Sequence, residues 1–294
     1  MAWVEELEAS VKGIAESVGK SVVAVGGGRG SRGSGFVIEE GKVVTNAHNL
    51  WEGQSIDVTF GDGRTERAEV AAADVDGDLA VLTVKTNGSP ALSIGTSTPT
   101  GTPVFALSNP SGRGLRVTFG LVSAQEQAFH GPRGRKIAGA LEHTAPLLPG
   151  SSGGPLVNAA GEVVGINTHR LGEGFYLSIP ANDELKEKLA KLSKGETPKR
   201  PHLGVALAPP RVGKALRRAV GLPPAEGLLV REVEEGSPAE DAGLKEGDLL
   251  IKANGSDLSD IESLFDVLEP AGKTLSLTIL RGSEEMTVEV PLPN

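Results

Sequence analysis

From Ser21 to Pro180 the sequence is a succession of short β-rich runs separated by glycine-containing and polar turns, among them SVVAV, KVVTNA, LAVLTV, PVFALS and EVVGINT. Many short strands at this spacing predict an antiparallel barrel or sandwich. Aromatic residues make up only 3% of the chain, so Val, Leu, Ile and Ala must fill its core. The segments DGR (62–64) and AAGE (159–162) are typical of hairpin turns.

A helix is predicted on each side of this β-rich region. Residues 1–20 form an amphipathic pattern, with apolar residues at helical spacing: Trp3, Val4, Leu7, Val11, Ile14 and Val18. Residues 181–194 (ANDELKEKLAKLSK) predict a second helix, capped by Asn182 or Asp183 and ended by Gly195.

A second compact unit follows a polar, proline-containing linker at 195–201. Within residues 202–294 the pattern predicts strands near 203–207, 228–233, 248–253, 274–280 and 286–290, and helices near 237–243 and 259–268. About 95 residues suffice for a small independent α+β domain.

Composition and charge exclude several classes of protein. The net charge of −9 argues against general electrostatic binding of nucleic acid, and the absence of cysteine excludes disulfides and thiolate chemistry. Five scattered histidines without an HExxH pattern argue against a metal centre, and no apolar run is long enough to span a membrane. The N-terminus does not have the pattern of a signal peptide. We therefore expect the cytosol if Met1 is native, and the cell envelope or periplasm if a targeting segment was removed.

Three local patterns carry catalytic residue types. In GSSGGPLV (150–157) a serine stands in a glycine-dense turn before an apolar strand, where backbone N–H groups can converge on an oxyanion. In VVTNAHNL (43–50) an apolar strand leads to His48, a candidate general base. In DVDGDLAVLTV (74–84) three aspartates precede a buried-looking strand. Taken singly, these patterns also fit an ordinary glycine turn, a surface histidine and a solvated turn.

Together, His48, Asp78 and Ser152 occur in the order His, Asp, Ser of chymotrypsin-type triads on a chain with a β-barrel pattern. The sequence resembles the HtrA (DegP-type) family of serine proteases from about residue 18 onward. The matching stretches are GSGFVI (33–38), VVTNAH (43–48), DLAVLTV (78–84), GSSGGPLV (150–157), GEVVGINT (161–168) and AND (181–183). The resemblance implies a mainly β chain, with a chymotrypsin-like double β-barrel protease domain over 21–194 and a small α+β PDZ domain over 202–294.

The resemblance also implies catalytic roles. Ser152 would be the nucleophile, His48 would accept its proton, and Asp78 would orient His48 and stabilise the imidazolium. The backbone N–H groups of Gly150 and Ser152 would form the oxyanion hole.

Alternatives exist at two of these positions. Asp74 and Asp76 are rivals for the third role, but Asp78 directly precedes the LAVL strand, and the other two are expected in a solvent-facing turn. The family usually has Asn before the nucleophile, where this chain has Ser151, a second candidate hydroxyl. The GxSGG pattern favours Ser152.

The substrate pocket departs from the family pattern. Leu147 is expected to face the primary specificity pocket, and Arg170 lies in a specificity loop where aliphatic residues are common in the family. Arg170 weakens the expectation of a preference for small or medium aliphatic side chains. It could instead point to solvent.

The C-terminal unit resembles a circularly permuted, bacterial-type PDZ domain in HLGVAL (202–207) and GSPAEDAGLKEGDLLIKANG (236–255). The backbone around Leu203, Gly204 and Val205 would capture a peptide's terminal carboxylate while the peptide adds to the edge strand. Leu264 or Val267 would line the pocket. The alternative is a domain that mainly packs against or regulates the protease.

The resemblance predicts an ATP-independent endopeptidase that cleaves unfolded or misfolded proteins, without a metal or organic cofactor. Its partners would be unfolded polypeptides and C-terminal peptides, and no nucleic acid. No membrane-spanning segment is expected. The resemblance also implies that the protein assembles as a homotrimer. The alternative is a catalytically silent peptide-binding chaperone or scaffold.

Overall fold

The structure is a computed structural model that describes residues 2–26, 31–50, 55–96, 98–131, 136–172, 174–198, 201–268 and 271–292. Within these ranges, six side chains are not described: those of Ala2, Trp3, Ser31, Arg32, His169 and Arg170. The chain divides into two compact units, residues 1–198 and residues 199–294.

The first unit begins with a closed six-stranded barrel. Its strands are β1 (Val22–Gly26), β2 (Ser31–Glu39), β3 (Lys42–Thr45), β4 (Ile56–Thr59), β5 (Thr65–Asp74) and β6 (Leu79–Thr83). They close in the order β1-β2-β3-β6-β5-β4, with antiparallel pairs throughout. Alternate residues of these short strands form an aliphatic cluster that includes Val23, Val25, Val37, Val43 and Val58. The valine-rich runs in the sequence therefore supply the core that the scarce aromatics cannot.

A second closed barrel follows in the same unit. Its strands are β7 (Pro103–Ser108), β8 (Arg116–His130), β9 (Lys136–His143), β10 (Pro155–Val157), β11 (Val163–Gly172) and β12 (Phe175–Pro180). They close in the order β10-β11-β12-β9-β8-β7. The short β10–β11 hairpin turns at 158–162, in agreement with the turn predicted at 159–162.

Two helices pack on the barrels. They are α1 (Ala2–Val18) and α2 (Asp183–Ser193), and their apolar faces join the main core through Ile14, Val18, Leu185, Leu189 and Leu192. The backbone N–H of Leu185 donates to the Asn182 side chain at 2.8 Å. Asn182, and not Asp183, is therefore the N-cap of α2.

The second unit is a small α+β fold. Its strands are β13 (Val205–Ala208), β14 (Leu228–Val233), β15 (Leu249–Ala253), β16 (Ser256–Asp257), β17 (Thr274–Arg281) and β18 (Glu284–Pro291). The sheet order is β13-β14-β15-β17-β18, and β16 pairs with β15. Helices α4 (Pro238–Asp241) and α5 (Ile261–Leu268) fall within the two predicted helical segments.

Helix α3 (Pro210–Ala219) was not predicted from the sequence. Its apolar residues Val212 and Leu216 are exposed, whereas Gly213 and Arg217 are buried. The segment has four basic residues among its ten and only two large apolar ones, too few to form the apolar pattern that predicts a core-facing helix.

The predicted fold, mainly β with two six-stranded barrels followed by a small α+β domain, is confirmed. None of the helices among the described residues is long and apolar enough to cross a membrane.

Candidate active site

His48 lies in the short turn that follows strand β3 of the first barrel. Strand β3 buries Val43 and Val44, and a single 3-10 turn, Ala47–Asn49, then presents the imidazole at the surface. The side chain of His48 is 38% exposed. One edge of the ring is therefore anchored to the protein while the other can reach a substrate.

Asp78 anchors that ring. Its carboxylate is 2% exposed and accepts hydrogen bonds from His48 Nδ1, at 2.8 and 2.9 Å from its two oxygens, and from the His48 backbone N–H at 3.1 Å. The residue has φ = +53°, a left-handed conformation that is uncommon outside glycine. The Asn46 amide holds this strained backbone by donating to the Asp78 carbonyl at 2.8 Å.

Ser152 stands on the glycine turn of the second barrel, before β10. Gly153 has φ = +88°, and a Cβ there would lie 2.2 Å from the Ser34 carbonyl oxygen. A Cβ at Gly154 would lie 2.2 Å from the Leu107 carbonyl oxygen. Glycine is thus required at both positions to bring the turn against both barrels.

Thr168 connects the two halves of the site, and sequence reasoning missed it. Its hydroxyl donates to Asp78 Oδ2 at 2.7 Å, and its carbonyl accepts a hydrogen bond from Ser152 Oγ at 3.0 Å. Among the described contacts Ser152 makes no hydrogen bond to the His48 ring, so attack requires rotation of the Ser152 hydroxyl. The only signal for Thr168 in the sequence was its place at the end of GEVVGINT.

The predicted oxyanion donors are available. Within the described part of the chain, neither the Gly150 N–H nor the Ser152 N–H has a hydrogen-bond partner, whereas the neighbouring Ser151, Gly153 and Gly154 N–H groups all donate to carbonyls. Two unpaired donors on either side of Ser151 can stabilise negative charge on a substrate oxygen.

The alternative hydroxyl is buried. Ser151 is 2% exposed, and its Oγ donates to Ser108 Oγ at 3.0 Å and accepts from the Leu148 N–H at 3.2 Å. It therefore acts within the turn and is not available to attack a substrate.

The rival aspartates lie outside the site, but the expectation that both face solvent was wrong. Asp74 is 3% exposed, accepts a hydrogen bond from the Gly77 N–H at 3.0 Å and lies 3.4 Å from Lys188 Nζ of α2. A buried carboxylate needs such partners, and here it ties α2 to the turn that carries Asp78. Asp76 is half-buried.

Of the two predicted pocket residues, Leu147 is partly buried and packs against the apolar cluster of the second barrel. The side chain of Arg170 lies outside the described part of the structure, although its backbone in β11 pairs with Tyr176 of β12.

His143, at the end of β9, was not singled out from the sequence. It is fully buried and stacks on Tyr176, with 5.9 Å between the ring centroids. Among the described residues, neither of its ring nitrogens has a hydrogen-bond partner. Burial lowers the pKa of His143 to about 4, and the nearby Asn167 amide only partly opposes this shift.

In the second unit, the segment with the predicted peptide-binding residues has the features of a binding edge. Strand β13 has β14 as its only neighbour in the described sheet, so its outer edge is open. Gly204 has φ = +76°, and within the described residues the N–H groups of Leu203 and Gly204 have no partner. Such an edge can accept an added strand, and such N–H groups can bind a carboxylate. Leu264 of α5 and Leu203 share the same core, and the partly buried Val205 packs against it.

The family models agree with this division. A trypsin-like peptidase domain matches residues 33–166, and a PDZ domain matches residues 229–281.

The chain is similar to several curated proteins over 88% of its length. It is 35% identical to the putative serine protease HhoA of Synechocystis sp. and covers 70% of that protein. It is 33% identical to the mitochondrial serine protease HTRA2 of Drosophila pseudoobscura pseudoobscura, covering 65%, and 34% identical to serine protease HTRA1 of Xenopus tropicalis, covering 59%. The chain thus spans about two thirds of the length of these relatives.

Solved structures agree as well. The HtrA-type protease AlgW, solved with a decapeptide, is 25% identical with a TM-score of 0.66, covering 96% of this chain and 98% of that one. A serine endoprotease from Yersinia pestis is 27% identical with a TM-score of 0.64, covering 96% and 97%. With its paired His48 and Asp78, its glycine turn around Ser152 and these relatives, the chain belongs to the HtrA family of trypsin-like serine proteases with a C-terminal PDZ domain.

Proposed function

We propose that this protein is an ATP-independent endopeptidase that cleaves unfolded or misfolded proteins, with Ser152, His48 and Asp78 as its catalytic triad. The observation that carries the proposal is the doubly hydrogen-bonded His48–Asp78 pair, next to a serine turn with two unpaired N–H groups.

The geometry supports a definite proton path. Because His48 Nδ1 donates to Asp78, the neutral ring leaves Nε2 with a free lone pair. After rotation of its hydroxyl, Ser152 gives its proton to Nε2 while Oγ forms a bond to the substrate carbonyl carbon. The carbonyl oxygen becomes an oxyanion between the Gly150 and Ser152 N–H groups. His48 then protonates the leaving amine. In the second half of the reaction His48 takes a proton from water, which attacks the carbonyl carbon of the acyl-enzyme, and returns that proton to Ser152 Oγ as the acid product leaves.

The PDZ unit is proposed to bind peptide C-termini, for substrate capture or for activation. Leu203, Gly204 and Val205 would receive the carboxylate, and the open edge of β13 would pair with the peptide backbone. AlgW, with which the chain aligns over nearly its whole length, was solved with a bound decapeptide.

The test is hydrolysis of unfolded casein by wild type and by Ser152→Ala, His48→Ala and Ser151→Ala. We expect hydrolysis by wild type and by Ser151→Ala, and its loss in the other two variants. Loss of activity in Ser151→Ala with retention in Ser152→Ala would mean that the nucleophile is wrongly assigned.

A catalytically silent peptide-binding chaperone is a second candidate, because Ser152 Oγ donates to the Thr168 carbonyl and not to His48. If wild type leaves casein intact with and without added C-terminal peptides, yet suppresses aggregation of an unfolded protein, this second function replaces the first.

A further inference from the structure

Of the four peptide groups around the nucleophile, 150–151 and 152–153 are hydrogen-bonded at both carbonyl and N–H, whereas 149–150 and 151–152 have an N–H without a partner among the described residues. The 150–151 group is held at both ends: the Gly150 carbonyl accepts from Ser34 Oγ at 2.8 Å, and the Ser151 N–H donates to the Leu148 carbonyl at 3.0 Å. The N–H groups left free, those of Gly150 and Ser152, belong to the two peptide groups that flank this one. Fixing the 150–151 plane therefore restricts where both free donors can point.

The 152–153 peptide group is held in the same way. The Ser152 carbonyl accepts from the Ser34 N–H at 2.8 Å and from Asn49 Nδ2 at 3.0 Å, and the Gly153 N–H donates to the Asn167 carbonyl at 2.7 Å. One residue, Ser34, thus contacts the carbonyls of both Gly150 and Ser152, the residues whose N–H groups form the candidate oxyanion hole.

Ser34 is itself rigidly held. It is fully buried in β2 of the first barrel, and its carbonyl accepts from Thr45 Oγ1 at 2.7 Å. Its hydroxyl accepts from the Asn109 N–H at 3.0 Å while it donates to Gly150. Both capacities of the hydroxyl are used, so a side chain here must donate and accept at once. Alanine would leave the Asn109 N–H and the Gly150 carbonyl without this partner.

We infer that Ser34 is a positioning residue: its hydroxyl and N–H hold the Gly150 and Ser152 carbonyls so that the oxyanion donors are set before substrate binds. The inference rests on the proposed protease function and deepens it. It makes the oxyanion hole of the second barrel depend on a side chain of the first barrel, 116 residues away in sequence.

The test compares Ser34→Ala with a matched control, Thr86→Val. Thr86 is also fully buried, and its hydroxyl accepts from the Gly41 N–H at 3.0 Å. Gly41 precedes β3 and His48 follows it, so the control removes a comparable hydrogen bond at the opposite end of that strand.

For Ser34→Ala on a peptide substrate we expect kcat to fall about tenfold or more with KM within about twofold of wild type, since preorganised donors act on the transition state. The inhibition constant of a peptide boronic acid, whose adduct with Ser152 is tetrahedral, should rise by a similar factor. Thr86→Val should keep wild-type values of all three.

A second readout does not need activity. Loss of the Ser34 hydroxyl should speed hydrogen exchange of the Ser151 amide, which lies in the peptide group that the hydroxyl holds, in wild-type and Ser152→Ala backgrounds alike. If Ser34→Ala keeps both kcat and the exchange rate of its parent, Ser34 has no positioning role. If wild type shows no Ser152-dependent hydrolysis, the proposed function fails, and the exchange rate alone then decides: faster exchange supports the role of Ser34 in the turn, and an unchanged rate overturns it.

Discussion

At the scale of single residues, the active site keeps unusual backbone conformations in place with side-chain hydrogen bonds. Asp78 has φ = +53° and is held by the Asn46 amide, while the turn around Ser152 depends on glycine at 153 with φ = +88°. Such conformations cost about 1–3 kcal/mol for a residue other than glycine and persist only where the surroundings impose them. Their position beside His48 and Ser152 fits a site in which order is imposed before the reaction.

His143 predicts how stability depends on pH. Its folded-state pKa of about 4 lies below the ordinary value of 6.5. At a pH between these two values, His143 is therefore protonated in the unfolded chain and neutral in the folded chain. Its contribution is therefore complete above pH 6.5 and is lost as the pH falls toward 4. We expect this group alone to cost about 2 kcal/mol of unfolding free energy between pH 7 and pH 5.

Urea unfolding of the Ser152→Ala protein across this range measures the effect. In a His143→Leu variant of the same protein the decrease should be smaller by that amount, because leucine cannot be protonated. Equal decreases in the two proteins would mean that His143 titrates normally in the fold.

At the scale of elements, the loop before β13 depends on the backbone of Gly204. It has φ = +76°, and a Cβ there would lie 2.2 Å from Ser237 Cβ, so alanine would be both strained and sterically blocked. Gly243→Ala is the matched control, since Gly243 has φ = +80° with no atom near the added Cβ. Both variants should lose about 1–2 kcal/mol from backbone strain, but only Gly204→Ala should also lose peptide binding.

Fluorescence anisotropy with a labelled C-terminal peptide, together with the thermal midpoint, separates these effects. Binding by Gly204→Ala as tight as that by Gly243→Ala would show that the peptide carboxylate is held elsewhere.

At the scale of the whole molecule, the two units have separate cores. The first unit buries its own apolar clusters in and around the two barrels, and the second unit buries two of its own around β14, β15 and β17. Calorimetry of the Ser152→Ala protein should therefore resolve two thermal transitions. A C-terminal peptide at 100 times its Kd should stabilise the second unit by about 2.7 kcal/mol and leave the first transition unchanged.

A single transition that moves as a whole would mean that the units unfold together. The same preparation, run in sedimentation equilibrium, tests the expected homotrimer.

The sequence by itself predicted the barrel-forming strands, the order and spacing of His48, Asp78 and Ser152, and a separate α+β unit after the linker, and the resemblance to the HtrA family implied that the two units are a protease and a PDZ domain. The strands and the separate unit follow from local patterns, namely short runs rich in valine and the glycine-containing turns between them. The sequence could not show which way neighbouring side chains of one turn point, and therefore not which of two nearby serines or aspartates is buried. Ser151 turned inward to Ser108, and Asp74 turned inward to Lys188.

Only the tertiary structure decided which distant residues support the site. Thr168 reaches Asp78 across 90 positions, and Ser34 reaches Gly150 across 116. The sequence likewise did not show that His143 is buried or that the apolar side of α3 faces solvent. The physical reason is that hydrogen bonding and burial depend on which surfaces the two barrels bring together, and no local pattern records that contact.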